Sequence, residues 1–483
     1  MGGAKVSPKK QRLQPGRAGL APQGESPAQA YRLENMVIDQ DGLYKPRYGL
    51  KHCKTMGSGE INHISRPGGY NARVMLIAES GKLFDLHVET GVATELATGW
   101  PTGPVAASVG SVPGGATRWL ACKAQIGSTA GPVFHYDLST LTEISTTAPG
   151  DGNWLAVVMG AAMRVCSGIG TGDALQWSKV NDVLTWDTLY QSPPPVGLRS
   201  VDAILANGPR EGLLFGPNGI ARVTGIPPRN LAFELLCEME VATPMFHPVR
   251  ARGRVFFAGG GPAIYMLSPG SAQPVAISGP IFRDLFSTQG PANLRVWYDG
   301  VLDEVIFWDR TQKLGWRWSL TENRWIGTMT YADGSTNMLG SAVIDQGAST
   351  VDASTQPWAK AFCVANNLVL QTDPSVATDA TSSSTTTAFT CRVETQVDRA
   401  EPGLTRQLLR VNSYGAGSWT HYYKWRNDPN ASWTTVTAGA AGEWHVPPSS
   451  VEYRELIVGA SAAATTSLRF HSFEIEEQVS GDP

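Results

Sequence analysis

The chain has 483 residues with 52 glycines, 32 prolines and a formal net charge of -3. This length allows a large core and two or three domains, whereas the near-neutral charge excludes a chain that binds nucleic acid over its whole surface. Glycine and proline interrupt the sequence throughout, and no long window shows the apolar period of a helix, so the sequence predicts a mainly β protein.

The six cysteines are spread without paired spacing. This pattern indicates reduced, buried thiols and neither a disulfide framework nor a zinc site. The basic N-terminus lacks the apolar stretch of a secretory signal, and no apolar run is long enough to cross a membrane. We therefore expect no membrane-spanning segment and a protein that is made and folded in a cytoplasm.

Residues 1–30 form a basic arm that is rich in proline and glycine and has no acidic residue before Glu25. One interpretation is a solvated, disordered tail. We favour another, in which the arm lies against a neighbouring subunit or a partner. The cations that we predict to make this contact are Lys5, Lys9, Lys10, Arg12 and Arg17.

Hairpins follow the arm from residue 31 onward. Residues 31–50 read as two strands around an Asp41-Gly42 turn, and residues 73–91 as two strands around Ser80-Gly81. Further strand pairs are predicted at 119–141 and 154–190, where apolar runs alternate with turn residues.

The clearest hairpins lie in the stretch 212–327. The sequences GLLFGPNGIARVTG, RVFFAGGGPAIYMLSPG and DEVIFWDRTQKLGWRWSLTENRWIG each place a polar turn between apolar runs rich in Val, Ile, Phe and Trp. A meander of roughly 40 to 50 residues cannot bury both of its faces alone, so such units stack or close around an axis. We predict a β-propeller-like body of meander blades over residues 31–346.

The pattern weakens after this body. Residues 347–390 are predicted to form a loop or linker, because they include the low-complexity run TDATSSSTTTAFT. Residues 391–483 alternate apolar and polar residues between turns, which predicts an additional β-sandwich-like or closing unit at the C-terminus. We also expect an early strand at 33–38 to share a sheet with the final strand at 468–475, which would remove an exposed edge.

The sequence contains no recognisable catalytic constellation. The glycine-rich segment 168–172 precedes a strand pattern, whereas phosphate binding needs a helix N-terminus. Asp303 and Glu304 would point to opposite faces of a strand. Glu474 and Glu476 share a face, which we interpret as solvated surface, and the histidines never occur at metal-ligand spacing. We predict no enzymatic activity, no cofactor and no metal site.

Aromatic residues crowd into two regions. We interpret them as core packing, with a carbohydrate platform or a subunit interface as alternatives. The two groups are Trp297, Tyr298, Phe307, Trp308, Trp316, Trp318 and Trp325, and Trp419, Tyr422, Tyr423, Trp425 and Trp433.

The order of the segments resembles the tail nozzle proteins of short-tailed bacteriophages, also called tail tubular protein B. The similarity is carried by ENMVIDQDGLYKPRYGL near the start, LQWSKVNDVLTWDTLY, the pair GLLFGPNGIARVTG and VFFAGGGPAIYML, and the closing LRFHSFEIEEQ. It covers most of residues 31–478. The basic arm lies outside this resemblance.

The resemblance implies a virion structural protein without catalytic residues. Six copies would form a ring beneath the portal and tail adaptor proteins, and tail fibre or needle proteins would attach around it. Genomic DNA would leave through the channel without sequence-specific binding, which suits a chain without net positive charge. The protein would belong to the virion tail and assemble in the host cytoplasm.

A second hypothesis is a carbohydrate-binding or glycan-degrading β-propeller protein of a phage tail. It would use the aromatic groups as sugar platforms. A pair of facing carboxylates in a central pocket would distinguish a glycan-degrading enzyme, and the sequence does not indicate such a pair.

Overall fold

The computed structural model of the chain describes 19 stretches. They are residues 8–13, 30–38, 43–57, 59–65, 74–87, 90–103, 105–125, 131–144, 152–166, 174–242, 248–260, 263–278, 294–333, 338–340, 361–397, 404–425, 432–448, 451–453 and 456–481. The predicted Asp41-Gly42 turn and the glycine-rich segment 168–172 lie outside these residues.

Strands make up the first half of the described chain. In order they are β1 (Lys9–Leu13), β2 (Ala30–Glu34), β3 (Met36–Ile38), β4 (Tyr44–Pro46), β5 (Gly49–Thr55), β6 (Ile61–Ile64), β7 (Val74–Glu79), β8 (Lys82–His87), β9 (Val92–Thr98), β10 (Val105–Ser111), β11 (Thr117–Gln125), β12 (Val133–Tyr136), β13 (Leu141–Glu143), β14 (Gly152–Val158), β15 (Ala161–Cys166), β16 (Ala174–Lys179), β17 (Asp182–Ser192), β18 (Ala203–Ala206), β19 (Glu211–Gly216), β20 (Gly219–Ile226) and β21 (Asn230–Glu238).

The second half continues in the same way. Its strands are β22 (Val249–Ala251), β23 (Arg254–Ala258), β24 (Ile264–Leu267), β25 (Val275–Ala276), β26 (Leu294–Asp299), β27 (Glu304–Asp309), β28 (Leu314–Ser319), β29 (Arg324–Met329), β30 (Met338–Gly340), β31 (Phe362–Ala365), β32 (Leu368–Asp373), β33 (Thr378–Ala380), β34 (Thr386–Ala388), β35 (Thr390–Gln396), β36 (Leu404–Ala416), β37 (Ser418–Trp425), β38 (Thr434–Ala440), β39 (Val451–Tyr453), β40 (Leu456–Ala463) and β41 (Arg469–Gly481). The described residues form no helix, and none of them provides a helical membrane span. The predicted mainly β class is confirmed.

The chain divides into two compact units. The propeller unit consists of His52–Lys313 and Ser335–Thr372, and the composite unit consists of Met1–Lys51, Leu314–Gly334 and Asp373–Pro483. Each unit is therefore assembled from segments that are distant in sequence.

The propeller unit contains a series of antiparallel meanders. Five four-stranded sheets follow one another in chain order, namely β6–β9, β10–β13, β14–β17, β18–β21 and β22–β25. The pair β26–β27 and the three strands β30–β32 continue the series. The hairpins predicted at 73–91, 119–141 and 154–190, and those centred on β19–β20 and β23–β24, are confirmed.

The first strands of these sheets form a closed ring. Each first strand contacts the first strand of the next sheet. The order around the ring is β6, β10, β14, β18, β22, β26 and β30, and β30 contacts β6 again. Within the described residues this ring has seven members, which is the arrangement of a propeller with one inner strand per blade. The predicted propeller-like body is confirmed.

The last blade is completed by an N-terminal strand. The outer neighbour of β32 is β5, and just beyond β5 the amide of Met56 donates to the carbonyl of Asn367 at 2.9 Å. Pairing of strands from opposite ends of the unit closes the ring without leaving that blade edge free.

Aromatic side chains join neighbouring blades. The rings of Phe215 and Phe257 lie 5.5 Å apart, and those of Phe256 and Phe307 lie 6.4 Å apart. Polar contacts add to this packing, because the Tyr136 hydroxyl donates to Asp85 at 2.6 Å. Each sheet thus buries its faces against the next one, as expected for meanders that are unstable alone.

The tight turns follow a ten-residue pattern that is visible in the sequence. The Asp309 carboxylate accepts hydrogen bonds from the amides of Thr311 and Gln312 at 2.7 and 3.1 Å, and Asp299 does the same for the two amides of its own turn. Each turn ends on a residue with positive φ, Asp303 or Lys313. Side-chain acceptors of this type favour turns over continued strand.

The composite unit contains two large groups of strands. One has the order β3-β4-β41-β36-β39 with β1 also on β41, and the other has the order β28-β29-β2-β35-β40-β37-β38. Trp419 of β37 packs edge-on against Phe470 of β41 with 5.3 Å between ring centroids, so the two sheets share a core. The expected sharing of a sheet by the early and final strands is found here, with β4 between them.

This division differs from the predicted domain boundaries. Part of the predicted linker, residues 361–390, forms β31–β34 and the start of β35, because Phe362, Val364 and Leu370 bury their side chains completely or nearly so. The predicted C-terminal unit at 391–483 also recruits residues 1–51 and 314–334. Residues 347–360 lie outside the described residues.

A buried ion pair lies where the three segments of the composite unit meet. Arg47 and Asp379 have side-chain exposures of 1% and 0%, and the two guanidinium nitrogens donate to the two carboxylate oxygens at 3.0 and 2.6 Å. The remaining N–H groups of Arg47 donate to Asn35, Tyr48 and Thr330. All five donors are satisfied, which is the condition under which a buried charge is tolerated.

The surroundings complete this pair. The Phe389 ring centroid lies 4.0 Å from the guanidinium carbon of Arg47, and the amide of Ala332 donates to Asp379 at 3.1 Å. Asn35 donates to Thr330 and to the carbonyl of Thr390, both at 2.8 Å. The network therefore connects residues of all three segments.

Replacement of Asp379 by Asn is expected to reduce the free energy of unfolding by about 3 to 5 kcal/mol, because it leaves the Arg47 charge buried without a counter-ion. Urea unfolding followed by tryptophan fluorescence measures this loss. The matched control is Glu95→Gln, which breaks the exposed Lys82–Glu95 pair and should change stability by less than about 1 kcal/mol. Equal effects of the two variants would contradict the prediction.

His63 of β6 gives the propeller unit a pH-dependent stability. Desolvation lowers the pKa of His63 from 6.5 to about 4. The unfolded chain therefore takes up a proton below pH 6.5 that the folded protein does not bind until about pH 4, so the free energy of unfolding falls as the pH decreases across this window. The loss from this residue is at most about 3 kcal/mol. Unfolding at several pH values should show that the stability of the parent relative to His63→Gln decreases from pH 6.5 toward pH 4, and a difference that does not change with pH would exclude this role.

Candidate interaction site at the N-terminal arm

The structure places three of the five predicted contact residues on one short strand. Lys9, Lys10 and Arg12 belong to β1, whereas Lys5 and Arg17 lie outside the described residues. Strand β1 pairs in antiparallel register with β41, so that Lys9 faces Glu477, Lys10 faces Glu476 and Leu13 faces Phe473. A basic strand thus lies on an acidic one.

One face of this strand pair is buried. Leu13 has no exposed surface, and neither do Ile475 and Phe473 of β41. The Phe473 ring continues into the core through Phe470, at 4.8 Å between centroids. Leu13 is the apolar anchor of β1, because the other residues of the strand are exposed or half-buried.

The opposite face carries alternating charge. The Lys10 ammonium lies 3.9 Å from Glu474 and 5.1 Å from the centroid of the Trp444 ring. The guanidinium of Arg410 approaches the same ring at 4.5 Å and pairs with Glu476 at 2.5 Å. Two cations therefore meet one aromatic ring and two carboxylates, an arrangement that combines ion pairing with cation–π attraction.

Arg12 is held by a different set of partners. Its Nε donates to the Ser472 hydroxyl at 3.0 Å, one of its Nη atoms lies 2.9 Å from Nδ1 of His471, and its guanidinium lies 5.3 Å from the centroid of the Tyr414 ring. Tyr414 in turn donates to Glu474, and this hydrogen bond raises the pKa of the Tyr414 hydroxyl. Arg12 is thereby connected to the same carboxylate as Lys10.

We call this arrangement the arm seat. It consists of Phe473–Glu477 of β41 together with Tyr414, Arg410 and Trp444. The predictions from sequence identified the cations of the arm but not these acceptors. A signal was present, because residues 473–476 (FEIE) alternate apolar and acidic residues, which places Glu474 and Glu476 on the face that carries Arg12 and Lys10.

The arm seat holds an extended basic segment in antiparallel register. Glu474 and Glu476 share a face as predicted, but they are mostly buried and paired, with side-chain exposures of 18% and 13%. The interpretation as a solvated surface was therefore wrong. Each carboxylate is paired with a cation, Glu474 with Lys10 and Glu476 with Arg410, which suits adhesion and register.

The predicted aromatic groups are largely core residues. Those with less than a tenth of their surface exposed are Trp297, Tyr298, Phe307, Trp308, Trp318, Trp325, Trp419 and Tyr423. Trp316, Tyr422 and Trp433 are half-buried. Core packing is therefore confirmed for the buried group, and rings in such positions cannot stack on a sugar in solvent.

Most of the described cysteines lie in the core. Cys122, Cys237, Cys363 and Cys391 are buried, as predicted, and Cys53 is half-buried; none of these five described cysteines is part of a disulfide. Burial raises the pKa of Cys391 to about 12, which makes this thiol unreactive. Within the described residues no group of three or more His, Cys, Asp or Glu side chains could hold a metal ion.

No protein-family model and no curated protein matches the chain. Among solved structures, it is similar to a streptogramin B lyase, with 10% identity and a TM-score of 0.44 over 67% of this chain and 97% of that chain. It is also similar to YCF48 bound to a D1 peptide, with 14% identity and a TM-score of 0.42 over 68% and 97% of the two chains. A nidogen/laminin complex gives 12% identity and a TM-score of 0.35 over 54% and 94%. The fold assignment rests on the strand order of this chain itself.

Proposed function

We propose that the chain is a structural subunit of the tail of a short-tailed bacteriophage, in which it forms a nozzle ring around the exit channel for DNA. The observation that carries the proposal is the arm seat, where a basic N-terminal strand adds to an acidic edge. Strand addition of this kind is a common way to fasten one chain to another. The order of the hairpins from residue 31 to residue 478 supports the specific assignment to a nozzle.

The mechanism of such a ring is mechanical. Meander sheets, each packed on its neighbours, resist deformation, and a body with many satisfied backbone hydrogen bonds is stiff. A six-fold ring needs heterologous contacts that close on themselves. The portal and adaptor proteins would bind one end of the ring, and fibre or needle proteins would bind around it.

The charge of the chain suits a conduit. Each contact between a Lys or Arg and a phosphate adds salt-dependent affinity, and such affinity would slow a polymer in transit. A chain with a net charge of -3 does not hold DNA by its overall field. Genomic DNA would therefore pass without sequence-specific binding.

Light scattering of the purified protein alone is expected to give about six times the subunit mass of 51.7 kDa. If the ring forms only on the adaptor complex of the same particle, the mass of the complex should exceed that of the adaptor by this amount. Electron microscopy should then show a ring whose hole is about as wide as duplex DNA. A protein that stays monomeric with all tail partners present would overturn the proposal.

Deletion of residues 1–25 is expected to leave the β fold intact and to weaken assembly by about tenfold or more, because it removes the whole of β1. Circular dichroism reports the fold, and the fraction incorporated into particles reports assembly. The matched control is deletion of residues 1–7, which retains β1. Undiminished incorporation of the longer deletion would exclude a role of the arm in assembly.

A further inference from the structure

The edge of β41 that pairs with β1 carries backbone groups that need a strand as hydrogen-bond partner. On its other side β41 is paired with β36 from Arg469 to Gly481. On the β1 side its described partners are β1 at Phe473–Glu477 and β4 at Phe470. Without β1, the backbone groups of Phe473–Glu477 on this side would lose their partners, and an open edge of this kind accepts strands from other chains.

The hold on β1 is modest. The strand has five residues, of which only Leu13 is completely buried, and the Lys10 side chain is 55% exposed. Ordering five residues costs conformational entropy that one apolar anchor and partly solvated ion pairs offset only narrowly. We therefore expect β1 to leave and re-enter its seat readily.

The connection to the rest of the chain is long enough for exchange. Residues 14–29 separate β1 from β2, and a segment of this length can span roughly 50 Å when extended. Moving β1 to the seat of an adjacent copy keeps every contact of the strand pair, so the two arrangements differ mainly in the entropy of the connection.

We propose that β1 is exchanged between copies in the assembled ring, so that Lys9–Leu13 of each protomer occupies the arm seat of its neighbour. The inference rests on the proposed ring and names the partner of the arm, which is β41 of a second copy. Each protomer then donates one strand and accepts one. This contact is heterologous and closes in a ring, as cyclic symmetry requires.

Charge complementarity favours β1 of a second copy over a strand from an unrelated protein. Glu476 and Glu474 of the seat lie opposite Lys10 and Arg12 in the strand register, and every charged side chain before Glu25 is a Lys or an Arg. Register is fixed by the pairs Lys10–Glu474 and Arg12–Ser472 and by burial of Leu13, because a shift by one residue would exchange the two faces. A second copy of this chain supplies a strand that meets all of these requirements.

The test uses the full chain in light and heavy isotope-labelled forms. The two forms are purified separately, dissociated to monomers where they form rings, mixed in equal amounts and assembled. A carbodiimide then joins Lys10 to Glu474 through an amide and takes up the released water as a urea. Mass spectrometry then identifies whether each cross-linked pair of peptides comes from one form or from both. Strand exchange predicts that about half of the Lys10–Glu474 pairs are mixed.

An internal control is present in the same sample. Lys82 and Glu95 lie 2.6 Å apart on paired strands of one blade, so their cross-link should always be unmixed. Lys10→Gln should abolish the first cross-link and leave the second. If every Lys10–Glu474 cross-link joins two light or two heavy peptides, the proposal of strand exchange is wrong.

The result also separates this inference from the proposed function. A ring of six copies with unmixed Lys10–Glu474 pairs would refute strand exchange and leave the ring assignment standing. Mixed pairs in an assembly other than a closed ring would support exchange and count against the nozzle. A protein that remains monomeric with unmixed pairs would refute both.

Discussion

The composite unit depends on the buried contact between Arg47 and Asp379. Its sheets come from three chain segments, and no single hydrophobic run could specify how those segments meet. The fully satisfied guanidinium does so, because its five donors have fixed directions and each partner must be in place. Burial makes any other arrangement expensive, since a displaced partner would leave a charge without compensation.

Each unit must specify how its chain segments meet, and the two units do so in different ways. In the propeller unit, repeated meanders specify their neighbours through apolar faces, and strand β5 completes the last blade. Repetition makes each interface similar to the next one. The described strands of the composite unit do not form a repeated meander, so Asn35 and Arg47 supply the specificity that repetition provides in the propeller unit. Fixing the register of packed elements is the best-attested use of polar groups in protein cores.

The predictable part of the fold was the part encoded locally. Turns such as Asp309 to Lys313 combine an acceptor side chain, a residue with positive φ and flanking apolar runs, all within ten residues. The division into units was not predictable, because it rests on pairings such as β2 with β35. The low-complexity run at 378–390 also contains Asp379, whose role depends on Arg47. For the candidate site the basic arm was predicted, whereas its strand conformation and its contacts with Trp444 and Tyr414 depend on tertiary structure.

The composition of β1 suits a strand that is released from the edge of β41 and binds there again. An apolar strand would bind β41 more tightly, but once released it would pair with any other exposed edge. Lys9, Lys10 and Arg12 keep the free strand solvated and repel other arms, while Leu13 alone supplies the buried anchor. Attraction arises only where the acidic face of β41 meets these cations in register. Specificity therefore comes from charge and alternation, and weak burial allows the strand to move.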